Sequence, residues 1–366
     1  MASALKLPAA NAPGNGSATS LPVSACPLPI TQHEQIVLGH GSGGKLSAQL
    51  IERLFIQAFS NPVLDRLDDQ AVLEIGPSRL AFTTDAFVVT PLFFPGGDIG
   101  RLAINGTVND LAMSGARPLY LAATFILEEG LAMSELTSVV DSMRVAALDS
   151  AVQLVCGDTK VVNRGKADKL FISTTGIGIL EKPVNISANR AQAGDKIILS
   201  GYIGDHGMAV LSQRENLEFE GVIESDCAAL HRLVDDMLDV SFDIHCLRDP
   251  TRGGVATVLN EIASRSQVGM LLHASEIPVR DSVRGACEIL GLDPLYVANE
   301  GKLIAIVSPD SAEAIVSRMR RNPLGADARI IGEVIEKHAG MVLMKTEIGG
   351  TRVVDTLFGE QLPRIC

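Results

Sequence analysis

The chain has 366 residues, 46% hydrophobic and 20% charged, with no tryptophan. One hydrophobic core rarely serves such a length, so two domains are expected. Thirty-one basic against 43 acidic residues give a net charge of −12, which argues against a nucleic-acid surface, and no apolar run approaches the ~18–20 residues of a membrane span. Residues 1–34 are rich in Ala, Pro, Ser, Gly and Asn without the continuous apolar stretch of a signal peptide. They read as a disordered extension. Cysteines at 26, 156, 227, 246, 287 and 366 form no Cys-x-x-Cys pair and no zinc-like spacing. A reducing cytoplasm fits them, and Cys156, Cys227 and Cys287, in apolar surroundings, are expected to be buried.

The first domain is expected over 35–182. Gly39-His40-Gly41-Ser42-Gly43-Gly44-Lys45 nearly satisfies the P-loop pattern, but Leu46 stands where a hydroxyl would meet magnesium. Such a loop can still cradle phosphate with backbone N–H groups, and the following apolar spacing predicts a helix over 46–59. Asp68-Asp69 precedes a short strand. The strand over 79–90 is interrupted by Asp85, a residue type depleted in strands, which stands either at a wet edge or on a ligand. Asp98 suits the N-cap of a helix over 99–113. Near its end lies Asn109-Asp110, where the helix dipole disfavours a carboxylate. A buried strand follows over 119–127, and Ser134 is expected to cap a helix reaching 148. A strand over 151–156 should end in Gly157-Asp158-Thr159-Lys160, and another covers 170–180.

The second domain is expected over 183–347. It opens with a strand at 196–199, and Gly204-Asp205-His206-Gly207 starts a helix to about 213. Another helix is expected over 225–240. Arg248-Asp249-Pro250-Thr251-Arg252-Gly253-Gly254 leads into a helix over 255–266, either an anion site or simple turn chemistry. Helices over 278–290 and 310–321, strands over 303–307, 328–334 and 341–345, and the run Asn299-Glu300-Gly301-Lys302 complete it. Residues 348–366 read as a mobile tail hinged at Gly349-Gly350, spanning at most about 50 Å. It ends in Cys366, a thiol on a tether unless it is merely a frayed end.

The acidic sites of the first domain lie at loop or element ends. Oxygen ligands beside glycine-rich loops suit magnesium shared with nucleotide phosphates. The runs Thr83-Thr84-Asp85, Phe93-Phe94-Pro95-Gly96-Gly97-Asp98-Ile99-Gly100, Gly106-Thr107-Val108-Asn109-Asp110-Leu111-Ala112, Gly157-Asp158-Thr159-Lys160-Val161-Val162, the Arg248–Gly254 run and the final Pro363-Arg364-Ile365-Cys366 together resemble one family. It is that of the nickel–iron-hydrogenase maturation carbamoyl dehydratases. The resemblance covers residues 36 to 366, and the terminal Pro-Arg-Ile-Cys is its most specific part. Aminoimidazole ribonucleotide (AIR) synthetase and selenophosphate synthetase, in the wider superfamily, share the ATP-binding fold but not that tail.

The resemblance implies a two-domain α/β (α+β), PurM-like or AIR-synthase-like fold, with the first domain pairing in a homodimer. It implies that a HypF-type carbamoyltransferase loads Cys366, that ATP dehydrates the S-carboxamide to a thiocyanate, and that a HypC–HypD iron scaffold receives the cyanide. ATP is expected at Gly43, Gly44, Lys45, Asp68, Asp69, Asp85, Asn109, Asp110, Asp158, Thr159, Asp249, Arg252 and Gly253, with magnesium on Asp68, Asp85, Asp110 and Asp249. Lys160 and Glu300 are candidates for the dehydration step beside Cys366, a structural ion pair being the alternative for the first two. Competing readings are a selenophosphate-synthetase-like phosphotransferase, for which Cys26 lacks the surrounding motif, and a non-catalytic thiol carrier.

Overall fold

Two large β-sheets organise the described residues of this computed structural model, which are 34–366 apart from Glu218, Glu220, Glu360, Gln361 and Pro363. The disordered extension expected over 1–34 and Cys26 therefore lie outside the described residues, but for residue 34 itself. Lys45–Leu50 (α1) continues through a π-helical stretch, Ile51–Ile56, into Gln57–Phe59 (α2). The first sheet comprises β1 (Ala71–Ile75), β2 (Ser78–Phe87), β5 (Arg117–Glu128), β6 (Gln153–Val162) and β7 (Leu170–Ile179), in the order β1-β2-β7-β5-β6. A short pair, β3 (Phe93–Phe94) and β4 (Gly97–Asp98), leads into α3 (Ile99–Met113). Asp98 caps α3 as expected, accepting from the Gly100 and Arg101 N–H groups at 2.7 and 3.1 Å. Nearly every side of α3 is apolar and buried, which makes it a core helix between the sheet and α4 (Met133–Asp149). Ser134 does not cap α4, which starts one residue earlier behind Ala132 with no side-chain cap.

The second sheet has the order β14-β13-β10-β12-β8-β11-β9. Its strands are β8 (Lys196–Leu199), β9 (Ile244–Arg248), β10 (Gly269–His273), β11 (Ile304–Val307), β12 (Arg329–Ile335), β13 (Val342–Lys345) and β14 (Thr351–Val354). Helices α5 (Asp205–Glu215), α6 (His231–Leu238), α7 (Gly254–Ser266), α8 (Asp281–Leu290) and α9 (Pro309–Met319) accompany it. The expected helix over 225–240 begins only at His231. Residues 222–230 run without regular structure before it, and they hold parts of the site described below.

Leu111, Met113, Leu180 and Val184 join Leu230, Leu233, Met237 and Ile315 in one apolar cluster, which joins the two sheet systems. Among the described residues no helix is long and apolar enough to cross a membrane. The tail differs from expectation. Gly349, at φ +88°, turns a hairpin in which the Thr346 N–H donates to the Gly350 carbonyl at 2.8 Å, and β14 pairs antiparallel with β13. The glycine pair is a turn rather than a hinge, because a strand edge on β13 was open to take one more strand.

Candidate active site

Alternation along β2 points Ala81, Thr83, Asp85 and Phe87 inward. Its partner β1 reaches only Phe82, so the strand edge at Asp85 is open. That opening borders a cavity of about 180 Å³ lined by Asp69, Asp85, Asp110, Asp249, Arg252, Glu300 and Cys366. Asp110 arrives from the last turns of α3, its Oδ2 2.8 Å from the Thr83 hydroxyl. Gly106 permits the approach, since a Cβ there would stand 2.9 Å from the Phe87 ring. Asp249 and Arg252 come from the turn between β9 and α7. The Pro250 carbonyl accepts from the Asn299 backbone and side chain at 3.1 and 3.0 Å, which sets Glu300 beside them.

These carboxylates are not ordinary. Burial, then repulsion from Asp249 and Asp85, pushes Asp110 well above the usual range. Burial likewise raises Asp69, against the pull of Arg248 2.9 Å away, and brings Asp249 to about 6. Glu300, 3% exposed, is raised by burial and then by Asp249, Asp85 and Asp226. Burial and Glu300 push the Cys366 thiol up. Asp69 Oδ2 and Glu300 Oε1 are buried with no hydrogen-bond partner among the described residues. An unmet buried acceptor costs about 1–3 kcal/mol, and here several acids share the deficit. A cation bound among them would meet it. No three His, Cys, Asp or Glu side chains among the described residues converge tightly enough to cage an ion. Carboxylate oxygens spaced around open space instead suit magnesium, which keeps waters and shares its shell with phosphates.

Several expected residues lie elsewhere. Asp68 points away from the acidic cavity, accepting from the Ser187 hydroxyl at 2.7 Å and the Ala188 N–H at 2.9 Å. It ties the interdomain segment and borders a neighbouring cavity of about 330 Å³, with Asp69, Gly43 and Arg252. Adjacent residues entering a strand face opposite ways, so only one of the pair can face the acids. Asp158, Thr159 and Lys160 do not end a strand but sit inside β6, exposed along the sheet edge. There Lys160 Nζ lies 2.6 Å from Asp158 Oδ2, the geometry of an ion pair. Cys156, on the same strand, is exposed rather than buried, while Cys227 and Cys287 are buried. Asn109 is a buried clamp, giving a hydrogen bond to the Ala228 carbonyl at 3.0 Å and accepting from the Leu230 N–H at 2.8 Å.

At the glycine-rich loop the first N–H groups of α1 already have partners. Those of Lys45 and Leu46 donate to the Leu357 and Phe358 carbonyls at 2.9 and 3.4 Å, and Lys45 Nζ pairs with Asp355 at 2.8 Å. The helix start needs acceptors, and the tail supplies them. Gly44 and Gly253 border a third cavity, of about 170 Å³, whose walls include Arg252, Leu357 and Cys366.

The last residues are held inward. Ile365, 3% exposed, belongs to the apolar cluster of α3 and α4. Val88 N–H donates to the Cys366 carbonyl at 2.9 Å. Arg214 donates to the Arg364 carbonyl at 2.6 Å, and Arg364 donates to the Val88 carbonyl at 3.1 Å and pairs with Asp168. That guanidinium holds the Asp168 carboxyl below its usual range. Asp168 and Arg214 carry no local sequence signal for this role, since the contacts they make span some of the longest separations in the chain.

Residues 67–180 match the N-terminal domain model of AIR synthase related proteins, and 192–345 match its C-terminal domain. The carbamoyl dehydratase HypE of Cupriavidus necator is 56% identical over 333 residues, covering 91% of this chain and 95% of that protein. The chain belongs to the HypE family. A solved HypE–HypF complex superposes with a TM-score of 0.81 at 47% identity, covering 84% of this chain and 99% of the matched one. HypE in complex with ATP gives 0.77 at 52% identity, covering 91% and 100%. The two-domain AIR-synthase-like fold expected from the motifs is the one observed, and HypE membership displaces the selenophosphate-synthetase-like reading.

Proposed function

We propose that this protein dehydrates a carboxamide carried on the Cys366 sulfur to a thiocyanate, at the cost of ATP, in hydrogenase maturation. The observation that carries the reading is the presence of Cys366 in one cavity with Arg252, Glu300 and four aspartates. With its thiol pushed up, docked Cys366 is protonated and a poor nucleophile. The pocket therefore suits a neutral S-carboxamide better than a thiolate, and loading belongs to the undocked tail. A HypF-type carbamoyltransferase is the proposed loader, and a HypC–HypD iron scaffold the proposed acceptor, both in the cytoplasm.

In this reading the carboxamide oxygen takes the γ-phosphoryl group of ATP and ADP leaves. The nitrogen then gives up its two protons in turn, the C–O bond breaks to release phosphate, and C≡N remains on sulfur. Glu300, raised in pKa and with Oε1 lacking a hydrogen-bond partner among the described residues, is the proposed proton acceptor. Arg252 compensates negative charge across the cavity. Asp69, Asp85, Asp110 and Asp249 would hold magnesium, which supplies charge neutralisation for phosphoryl transfer. The test is single-turnover reaction of the carbamoylated protein with ATP, followed by intact mass. Loss of one water matched by phosphate release is expected. A carbamoylated protein that keeps its mass while ATP is present would leave only the thiol-carrier reading.

Homodimerisation fits the outer face of the first sheet, where Phe82, Ile177 and Tyr120 form an exposed cross-strand row. A partner covering that face and the β6 edge would give Lys160 a site in the other subunit. We expect Lys160→Ala and Glu300→Gln homodimers each to be inactive. Randomly mixed chains should recover about a quarter of wild-type activity, because half the dimers hold one intact site. Wild-type turnover in Lys160→Ala alone would remove that residue from the reaction.

A further inference from the structure

Of three consecutive residues ahead of α6, one holds Glu300 directly and another reaches the residue before Cys366 through His206. Asp226 Oδ1 accepts from the Glu300 N–H at 3.0 Å, and its Oδ2 lies 3.1 Å from Lys302 Nζ. The Ser225 hydroxyl lies 2.8 Å from His206 Nδ1, and His206 Nε2 lies 2.8 Å from the Ile365 carbonyl oxygen. Ser225 is itself anchored to the first domain, its N–H donating to the Pro95 carbonyl at 2.8 Å. Cys227 is buried directly behind, 3.5 Å from Asn105 Nδ2.

The hydrogen directions follow from the partners of the ring. A carbonyl oxygen only accepts, so Nε2 carries the ring proton. Burial lowers the basicity of His206, the ring is neutral, and Nδ1 accepts from the Ser225 O–H. Ser225 thus fixes the tautomer, and His206, fully buried, pins the carbonyl one bond before Cys366. The Gly204-Asp205-His206-Gly207 turn places it. A Cβ on Gly207 would stand 2.5 Å from Val297 and 3.2 Å from Leu362 of the tail, so glycine lets this turn pack close to both.

We propose that His206 and Ser225 are positioning residues that set the Cys366 sulfur, and that Asp226 sets Glu300 from the same loop, so one segment registers the group that reacts against the group that takes its proton. This deepens the dehydration reading and rests on it. Gln reproduces the Nε2 donor of His, and Leu does not. In His206→Leu, the single-turnover dehydration rate should fall about 100-fold, as for a reactant misplaced by about 1 Å, with the ATP concentration for half-maximal rate unchanged. His206→Gln should recover to within about tenfold, the worth of one hydrogen bond. Ser225→Ala, a milder change that leaves the His206 ring in place, should lie between them.

Alkylation of unloaded Cys366 by iodoacetamide gives the second readout. It should quicken in His206→Leu and Ser225→Ala and slow again in His206→Gln. Wild-type protection and rate in His206→Leu would overturn the proposal, as would equal losses in Leu and Gln variants that melt together below wild type. If the unsubstituted carbamoylated protein loses no water, the dehydration reading fails, and the alkylation series alone decides whether His206 holds the tail.

Discussion

Asp110→Asn and Asp249→Asn should each yield a protein that is harder to unfold without nucleotide and nearly dead as an enzyme. The two effects share a cause. Both carboxyls are held above their ordinary values first by burial and then by neighbouring acids, so ionising them works against the fold. A raised carboxyl gives the folded state an extra proton between its unfolded and folded values. That stability is fully present below the unfolded value and lost as pH rises through the folded one. For Asp249 the window runs from 3.8 to about 6, and removing its charge should return about 1–3 kcal/mol at pH 7 to 8. Thermal melts of the unliganded wild type should therefore fall as pH climbs from about 4 to about 7, and fall less in the Asn variants. Magnesium should flatten the wild-type profile, because it binds the ionised acids of the folded chain alone. Single-turnover dehydration should meanwhile drop by about 10²–10³-fold, as when a preorganised charge partner is removed. Asn variants that melt lower than wild type at pH 8 would show that burial and mutual repulsion do not work against the ionised acids.

Glu300→Gln is the second large effect. The amide keeps the size and the backbone bond to Asp226 but cannot take a proton. We expect dehydration of the carbamoylated protein to slow by about 10²–10⁴-fold, the usual contribution of a general base. Loading of Cys366 and ATP binding should be retained. The pH profile carries the sharper signature. Wild-type single-turnover rate should rise with pH while Glu300 ionises, at a value above its ordinary 4.5, and then level. In Glu300→Gln that rising limb should vanish. A limb that persists belongs to another group and removes Glu300 from the proton-transfer role.

Much of the site was legible because its parts break local rules. Asp85 interrupts a strand, Asp110 opposes a helix dipole, and Asp249 and Arg252 sit in a Pro- and Gly-rich turn. Each violation is resolved at the same cavity. The boundaries of α3 were equally plain, since Asp98 marks its start and apolar periodicity runs to Met113. Choosing Asp69 over Asp68 was not possible from sequence, because two adjacent carboxyls become inequivalent only once the following strand has its register. From sequence β6 looks shorter than it is, because its polar second half resembles a loop, whereas an exposed edge strand shows no burial alternation. β9 (Ile-His-Cys-Leu-Arg) and β10 (Gly-Met-Leu-Leu-His) lack the β-branched runs that mark β8 and β11. The links from His206 to Ile365 and from Arg364 to Asp168 join distant parts of the chain, and nothing near either residue announces them.

The strand β14 and the seat of Leu357 and Phe358 on α1 shorten the tether that carries the reactive sulfur. The chain was expected to swing from Gly350, yet it is stitched down as far as Phe358. From Gly359 to Cys366 seven residue steps remain, a reach of about 25 Å when fully extended. Under the proposed function, a partner that loads or unloads Cys366 would have to bring its own reaction centre within that radius of the α1 face. Delivery becomes a matter of close docking, with the arm crossing only the last gap, and lengthening the arm should relax how tightly a partner must fit.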